Sequence, residues 1–499
     1  MTCPMKPLLL LFFLAPLTLL NGADHPASAP KLNVLFMVAD DFRAELASYG
    51  SPAHTPNLDR LAKRALQFDR AYAQQAVCNP SRSSFLTGRR PDTLKIWSNG
   101  THFRELNPDV TTLPLWFKEH GYDTRCVGKI FHNWHTKIHG DPSSWSAPEF
   151  LHYANHGDDD AQVRGELPPN LATTTQGFGY AKNGICECRD VPDEAYFDGR
   201  VAVEAVRVLG ELKSKGEPFF LAVGFWKPHA PFNAPKKYWD LYDRAKLPPL
   251  DEHNAPRPVG APDIAFHNSS EVLGAPEKRA TLSEAAAAEM RHGYFANISY
   301  MDAQLGKVLD ALDASGFADH TVIVFVADHG YHIGEHTLWG KTSNFELDAR
   351  VPFFLAAPGM KTAGQRTSSA TELLDLFPTL TDVCSLPRPD GLEGISLAPL
   401  LADPSLRLQP ASFTQHPRPN YYDREPSKQP TAMGCSVRTA RVRYTEWRDW
   451  KTGETIAREL YDGVSDPNEM RNAVDSPDLA AAQKEAEELL RKQFPVTKH

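Results

Sequence analysis

Two acidic pairs stand directly after uninterrupted apolar runs. Asp40-Asp41 closes the run Asn33-Val-Leu-Phe-Met-Val-Ala39, and Asp328-His329 closes Thr321-Val-Ile-Val-Phe-Val-Ala327. Such runs suit strands buried on both faces, as in a parallel sheet flanked by helices. Open α/β sheets gather ligand groups at the carboxyl ends of those strands. Adjacent buried carboxylates repel each other and are costly without a cation. Either pair alone would suit a strand-end turn. Together they predict a divalent cation shared by Asp40, Asp41 and Asp328, and hard oxygen ligands suit calcium or magnesium.

Positive charge recurs in equivalent places. Val127-Gly-Lys-Ile-Phe-His132 presents Lys129 and His132, and Phe225-Trp-Lys-Pro-His-Ala-Pro-Phe232 presents Lys227 and His229. Lys341 follows just beyond the Asp-His-Gly turn. A lone loop lysine is ordinarily a solvated charge, but these lie just past predicted strands that should end at one rim. With Arg82 they predict an anion pocket inside a chain of net charge −9. Cys78 precedes Pro80, Ser81 and Arg82 at the start of a helical stretch, whose N-terminus would face an anion. On its own, Cys78 is as well explained as a small apolar thiol entering a helix.

Helices and strands alternate around these residues. Residues 55–65 have Thr55 as N-cap and Pro56 at the first helical position. Helices are expected over 113–120, 194–215 and 372–383, and over 282–312 with a break near Gly293. Further buried strands are expected over 124–127 and 218–224. The pattern is an α/β domain with a large, parallel or mixed central sheet. Near Gln409 the character changes to short strands (412–415, 435–439, 443–447, 458–461) and a final helix (479–493). The expected organisation is a catalytic domain over residues 31–408 and a small α+β subdomain over 409–499. The turn-rich stretches 143–193 and 247–277 are equally explicable as pocket rims and as surface insertions.

Residues 76–90 carry Cys78-x-Pro80-Ser81-Arg82 followed by Leu86-Thr87-Gly88-Arg89, which resembles the signature of the formylglycine-dependent (type I) sulfatases. Gly-Lys-Ile-Phe-His132, Lys-Pro-His-Ala-Pro-Phe232, Trp339-Gly-Lys-Thr-Ser-Asn-Phe-Glu346 and Gln415-His-Pro-Arg-Pro419 are similar to the iduronate-2-sulfatase branch. That branch carries Asp-His-Gly at 328–330, where many members have Asn or Gln in place of His329. The likeness runs from about Lys31 to about Asn472 and implies the alkaline-phosphatase-like fold. It implies that a formylglycine-generating enzyme oxidises Cys78 before folding, and that the hydrated aldehyde is the nucleophile. It further implies one calcium ion held by Asp40, Asp41, Asp328 and His329 and touching residue 78. Arg82 would hold the formylglycine, and Lys129 and Lys341 would meet sulfuryl charge. His229 would protonate the leaving oxygen, and His132 would act in sulfate release. Lys227, Tyr331, His332 and Trp339 are candidate substrate contacts; His102, Arg104 and Trp134 are further ones.

The activity implied is removal of sulfate from a sulfated oligo- or polysaccharide, a uronic-acid 2-O-sulfate of glycosaminoglycan-like or algal type. The alternatives are a phosphomonoester or phosphonate hydrolase of the same superfamily and a non-catalytic glycan-binding relative. An acidic balance with no basic run argues against nucleic-acid binding. Lys6, the apolar residues 8–20 and Asn21-Gly-Ala23 read as an export signal over residues 1–23, too short for a membrane span. Export to a periplasmic, secreted or lumenal site follows, and no later stretch reads as transmembrane. Without Cys3 and a converted Cys78 five cysteines remain, so at least one is unpaired, and Cys186-x-Cys188 reads as a loop thiol or disulfide. Asn99, Asn268 and Asn297 begin Asn-x-Ser/Thr sequons.

Overall fold

Every residue of the strand Asn33–Asp40 is buried, because it lies inside a seven-stranded sheet. A computed structural model describes residue 1 and residues 31–132, 136, 138–150, 186–267 and 282–496. Most of the expected export signal, Cys3, Trp134 and Asn268 lie outside the described residues. The order of strands is 366–367, 66–68, 353–356, 321–327, 33–40, 219–228 and 123–128. The last four run parallel to one another, and Phe353–Ala356 runs antiparallel to its neighbours on both sides. The sheet is therefore mixed, as expected. The short strands 66–68, 353–356 and 366–367 were not legible in the sequence.

Helices flank this sheet. Phe85 of the helix Cys78–Thr87 packs on Phe36, with ring centroids 6.2 Å apart, and Phe117 of the helix Leu113–Glu119 packs on Phe220 at 4.9 Å. The helix Glu284–Ser315 runs unbroken through Gly293, contrary to the expected interruption. Gly293 serves close packing there: a Cβ would come within 2.8 Å of Phe232 Cβ and 2.9 Å of the Trp239 ring. Asn297 of the same helix is fully buried and Asn99 nearly so, so neither sequon presents an accessible acceptor.

The second sheet is an antiparallel meander of Ser412–Arg418, Ala432–Arg438, Val442–Asp449 and Thr455–Asp462. The helix Ala480–Gln493 closes its apolar face through Ala486 and Leu490, which meet Val437, Tyr444 and Leu460 in one cluster. All six cysteines among the described residues are unpaired, Cys186 and Cys188 included. Among the described residues no helix is long and apolar enough to cross a membrane.

Candidate active site

The parallel strands finish at one edge. Pairing sets Ala39 beside Ala327, Val38 beside Gly224, and Gly224 beside Gly128. Asp40-Asp41, Lys129, His229 and Asp328-His329 therefore leave the sheet together. Two glycines make the close approach possible. A Cβ on Gly128 would lie 2.0 Å from the Gly224 carbonyl oxygen, and one on Gly224 would lie 1.9 Å from that of Lys129. Asp41 itself adopts a left-handed φ of 58°, and the Tyr294 hydroxyl holds it by donating to its carbonyl oxygen at 2.8 Å.

The helix Cys78–Thr87 delivers Cys78 to this edge at its first turn. Four bonds lock it there. Arg82 Nε donates to Asp328 Oδ2 at 2.8 Å, Arg82 Nη1 donates to the Lys129 and Ile130 carbonyls at 2.6 and 2.9 Å, and Ser81 Oγ donates to the Asp328 carbonyl at 2.5 Å. Cys78 Sγ lies 3.4 Å from Asp40 Oδ1 and 3.4 Å from His329 Nε2. Burial and the Asp40 carboxylate push its thiol up to about 12, so at neutral pH the sulfur keeps its proton.

Two lysines and a histidine close the ring. Lys129 Nζ pairs with Asp40 Oδ2 and sits 4.0 Å from the centroid of the Trp226 ring. Lys341 Nζ donates to Asp41 Oδ1 and Oδ2 at 2.8 and 3.0 Å, and His229 Nε2 is 3.7 Å from Asp41 Oδ2. Burial alone would raise the Asp40 carboxyl, yet Lys129, His229, Arg82 and Lys341 hold it well below the usual range. Oxygen, nitrogen and sulfur atoms of Asp40, Cys78, Asp328 and His329 lie within 4.8 Å of one another, as do those of Asp41, Cys78 and His229.

This donor set fits a divalent cation. His329 Nδ1 lies 3.0 Å from the Gly330 carbonyl; if it donates there, Nε2 carries the lone pair. That lone pair faces Asp41 Oδ1 at 3.5 Å and Asp328 Oδ2 at 3.6 Å. Three electron-rich atoms at such spacing call for a shared cation, and a carbonyl-anchored imidazole is the usual form of a metal-ligating histidine.

The other sequence-derived residues are placed differently. His132 follows Lys129 in the same buried segment. Lys227 turns its ammonium to the carbonyls of His229 and Pro231, at 3.2 and 2.7 Å, and burial lowers it to about 8. Tyr331 is fully buried, stacks on Tyr294 and lies under Lys341 Nζ, 6.0 Å from its ring centroid. His332 Nδ1 is 2.7 Å from Asp348 Oδ1, and Trp339 pairs with Ile333 in a two-stranded ribbon. His102 caps the short helix Phe103–Leu106, while Arg104 pairs with Asp141.

Sequence reasoning missed Asp198. Its carboxylate accepts the Trp226 and Lys227 N–H groups at 2.8 and 2.9 Å, fixing the strand end that carries His229. Burial pushes it up to about 6. A single aspartate in the first turn of a helix gives no sequence signal for such a task. Arg418 was noticed only within a motif. It collects the Ile264, Ala265 and Thr342 carbonyls at 2.8, 2.8 and 3.1 Å and stacks on Trp447, its guanidinium 4.6 Å from the ring centroid. The second sheet thereby grips the backbone next to Lys341.

Known proteins resemble this chain in fold and in sequence. The structure is similar to a solved complex of an enzyme with its substrate D-glucosamine-2-N,6-O-disulfate (TM-score 0.71, 20% identity, 93% of this chain and 97% of that one). It is equally similar to a phosphonate monoester hydrolase of Agrobacterium radiobacter (TM-score 0.72, 24% identity, 93% and 96%). At those identities the likeness bears on the fold alone, which is alkaline-phosphatase-like. In sequence, the chain is 33% identical to iduronate 2-sulfatase of Mus musculus across 91% of this chain and 92% of that enzyme. The N-sulphoglucosamine sulphohydrolase C-terminal model matches residues 334–494, and the sulfatase model matches residues 32–385. That second match takes in every member of the buried cluster from Asp40 to Lys341, and the chain belongs to the sulfatase family.

Proposed function

We propose that this sulfatase removes sulfate from a sulfated sugar, a uronic-acid 2-O-sulfate of a glycosaminoglycan-like or algal polysaccharide, outside the cytoplasm. One observation carries the reading: Arg82, Lys129, His229 and Lys341 converge on three buried carboxylates beside Cys78. The likeness to mouse iduronate 2-sulfatase along nearly the whole chain supports the sugar class.

Asp40, Asp41, Asp328 and His329 would hold calcium, and residue 78 would be formylglycine. Together these supply a Lewis acid and an aldehyde hydrate in place of a thiol that burial keeps protonated. The chain's own residues do the rest. Arg82 ties the helix that carries residue 78 to Asp328 and to the Lys129 and Ile130 carbonyls, so the reacting group is held in place at the helix N-terminus. Lys129 and Lys341 place two ammonium groups where sulfuryl oxygens gain charge, in a site that excludes water. His229 Nδ1 lies 2.5 Å from the Ala230 carbonyl; with its N–H directed there, Nε2 is the nitrogen that presents a proton to the leaving oxygen. His132 completes sulfate release. Lys227 and Asp198 act through His229 by fixing its backbone, and Tyr331 supports Lys341 from below. Trp339 and His332 shape the segment between Asp328 and Lys341.

Incubation with a panel of defined sulfated oligosaccharides tests the reading. The expected result is loss of a uronate 2-O-sulfate. Preference for aryl phosphate over aryl sulfate would instead identify a phosphoester or phosphonate hydrolase. Cys78→Ala should lower kcat by at least about 10³-fold; full turnover by that variant sinks the proposal, and turnover by neither form points to a glycan-binding relative.

A further inference from the structure

A second charged cluster lies where the C-terminal sheet meets the segment following Lys341. Arg350, Arg438 and Arg443 line a cavity of about 140 Å³ together with Glu346, Tyr461 and Glu469. It shares no residue with the Cys78 site. Three guanidinium groups face two carboxylates, an excess of one positive charge.

The carboxylate oxygens are already engaged. Glu346 Oε1 accepts from the Tyr72 hydroxyl at 3.0 Å, and its Oε2 accepts from Arg438 Nε at 3.2 Å and Arg443 Nη2 at 2.5 Å. Glu469 Oε1 accepts from Arg443 Nε at 2.7 Å, and its Oε2 accepts from the Glu346 N–H at 2.7 Å. Donors are left over. Arg443 is 2% exposed, yet its Nη1 has no hydrogen-bond partner among the described residues, and neither has the buried Nε of Arg350. The Arg350 guanidinium rests 5.4 Å from the centroid of the Tyr49 ring, a contact that leaves its N–H edge unused. Gly463 keeps the space open, since a Cβ there would come within 2.3 Å of Arg438 Nη2.

Buried, unpaired guanidinium N–H groups are expensive, and their planar forks match tetrahedral oxyanions. We infer that this cavity is a second anion site, taking a tetrahedral oxyanion of the sulfate or phosphate class between Arg350, Arg438 and Arg443. Burial raises the Glu469 carboxyl, with Glu346 adding to the shift and Arg443 opposing it. Glu346–Ala349 and Arg350 follow directly on the Lys341–Asn344 segment. An anion in the cavity therefore bridges that segment to the strands Ala432–Arg438 and Val442–Asp449.

Selenate, a sulfate analogue visible by anomalous scattering, tests the site on the full-length chain. Crystals soaked in selenate should show a peak between Arg350 and Arg443, separate from any peak at Cys78. In thermal melts at constant ionic strength, selenate should raise the melting temperature more than chloride does. In Arg350→Gln the apparent affinity behind that extra rise should fall at least about tenfold, the loss of one charge-assisted contact. Arg350→Lys should keep part of it. Competitive inhibition by sulfate at the catalytic centre should be equal in wild type and Arg350→Gln. A peak at Cys78 alone, or an unchanged selenate response in Arg350→Gln, overturns the inference. The crystallographic result decides on its own should the variant fail to fold.

Discussion

A carboxylate that is fully buried must be matched, and Asp40, Asp41 and Asp328 are matched twice over. Lysine and arginine nitrogens reach them directly, and the His329 lone pair marks where a further cation belongs. An ion that binds only the folded state stabilises it by mass action. Treatment with a calcium chelator should therefore abolish turnover and also lower the melting temperature, and added calcium should restore both. An unchanged melting temperature in chelator would mean that the ammonium groups suffice to balance the carboxylates. Asp328→Asn should lower kcat at least about 10²-fold, because Asp328 anchors Arg82 and would also hold the proposed ion.

At the scale of elements, strand ends and glycines do the positioning. Gly224→Ala drives a Cβ into the Lys129 carbonyl, so it should lose both stability, by about 1–3 kcal/mol, and turnover. Gly210 gives the contrasting case: on the helix Phe197–Lys215, a Cβ there would meet nothing within 4 Å. Gly210→Ala should stabilise the fold by about 0.5–1 kcal/mol without changing kcat, as read by chemical denaturation. Arg43, two residues past Asp41, ties the first strand's exit to Glu335 with a 2.9 Å bond. Burial alone would raise the Glu335 carboxyl, but Arg43 holds it at about 2, below its unfolded value. Together with His332, the Ile333 N–H and Arg291, the pair gives a contribution that is complete above about pH 4.5 and lost as pH falls toward 2, on the order of 3 kcal/mol in all. Glu335→Gln should flatten that acid limb of the stability curve; an unaltered limb would show that other carboxylates set it.

Across the whole molecule, what was legible followed from local physics. Continuous apolar runs announced three of the four parallel strands, the helix–strand alternation announced the fourth at 124–127, and charges at their ends announced the cluster. The strands 66–68, 353–356 and 366–367 were hidden because two to four residues carry no periodicity; their place depends on neighbours far away in the chain. Gly293 was misread as a helix break because its partners, Phe232 and Trp239, come from elsewhere. Asp198 was silent and the task of Arg418 hidden within its motif for the same reason: each acts on backbone groups of remote segments. Arg418 shows how the second sheet serves the first. No carboxylate among the described residues pairs with it, and burial lowers it to about 9. Arg418→Gln should loosen the Thr342 backbone and lower kcat about tenfold with KM nearly unchanged, whereas a purely structural role would lower only the melting temperature.

Cys78 and His329 touch in the folded chain but are 251 residues apart along it. At roughly 5–20 residues per second, a ribosome spends about 10–50 s between making one and making the other. During that interval residue 78 lacks its lid, because Asp328, His329 and Lys341 do not yet exist. In the folded chain the side chain is sealed at 1% exposure. If residue 78 is oxidised to formylglycine, as we propose, the oxidation has to reach it before these residues fold over it, and their late place in the chain lengthens that interval.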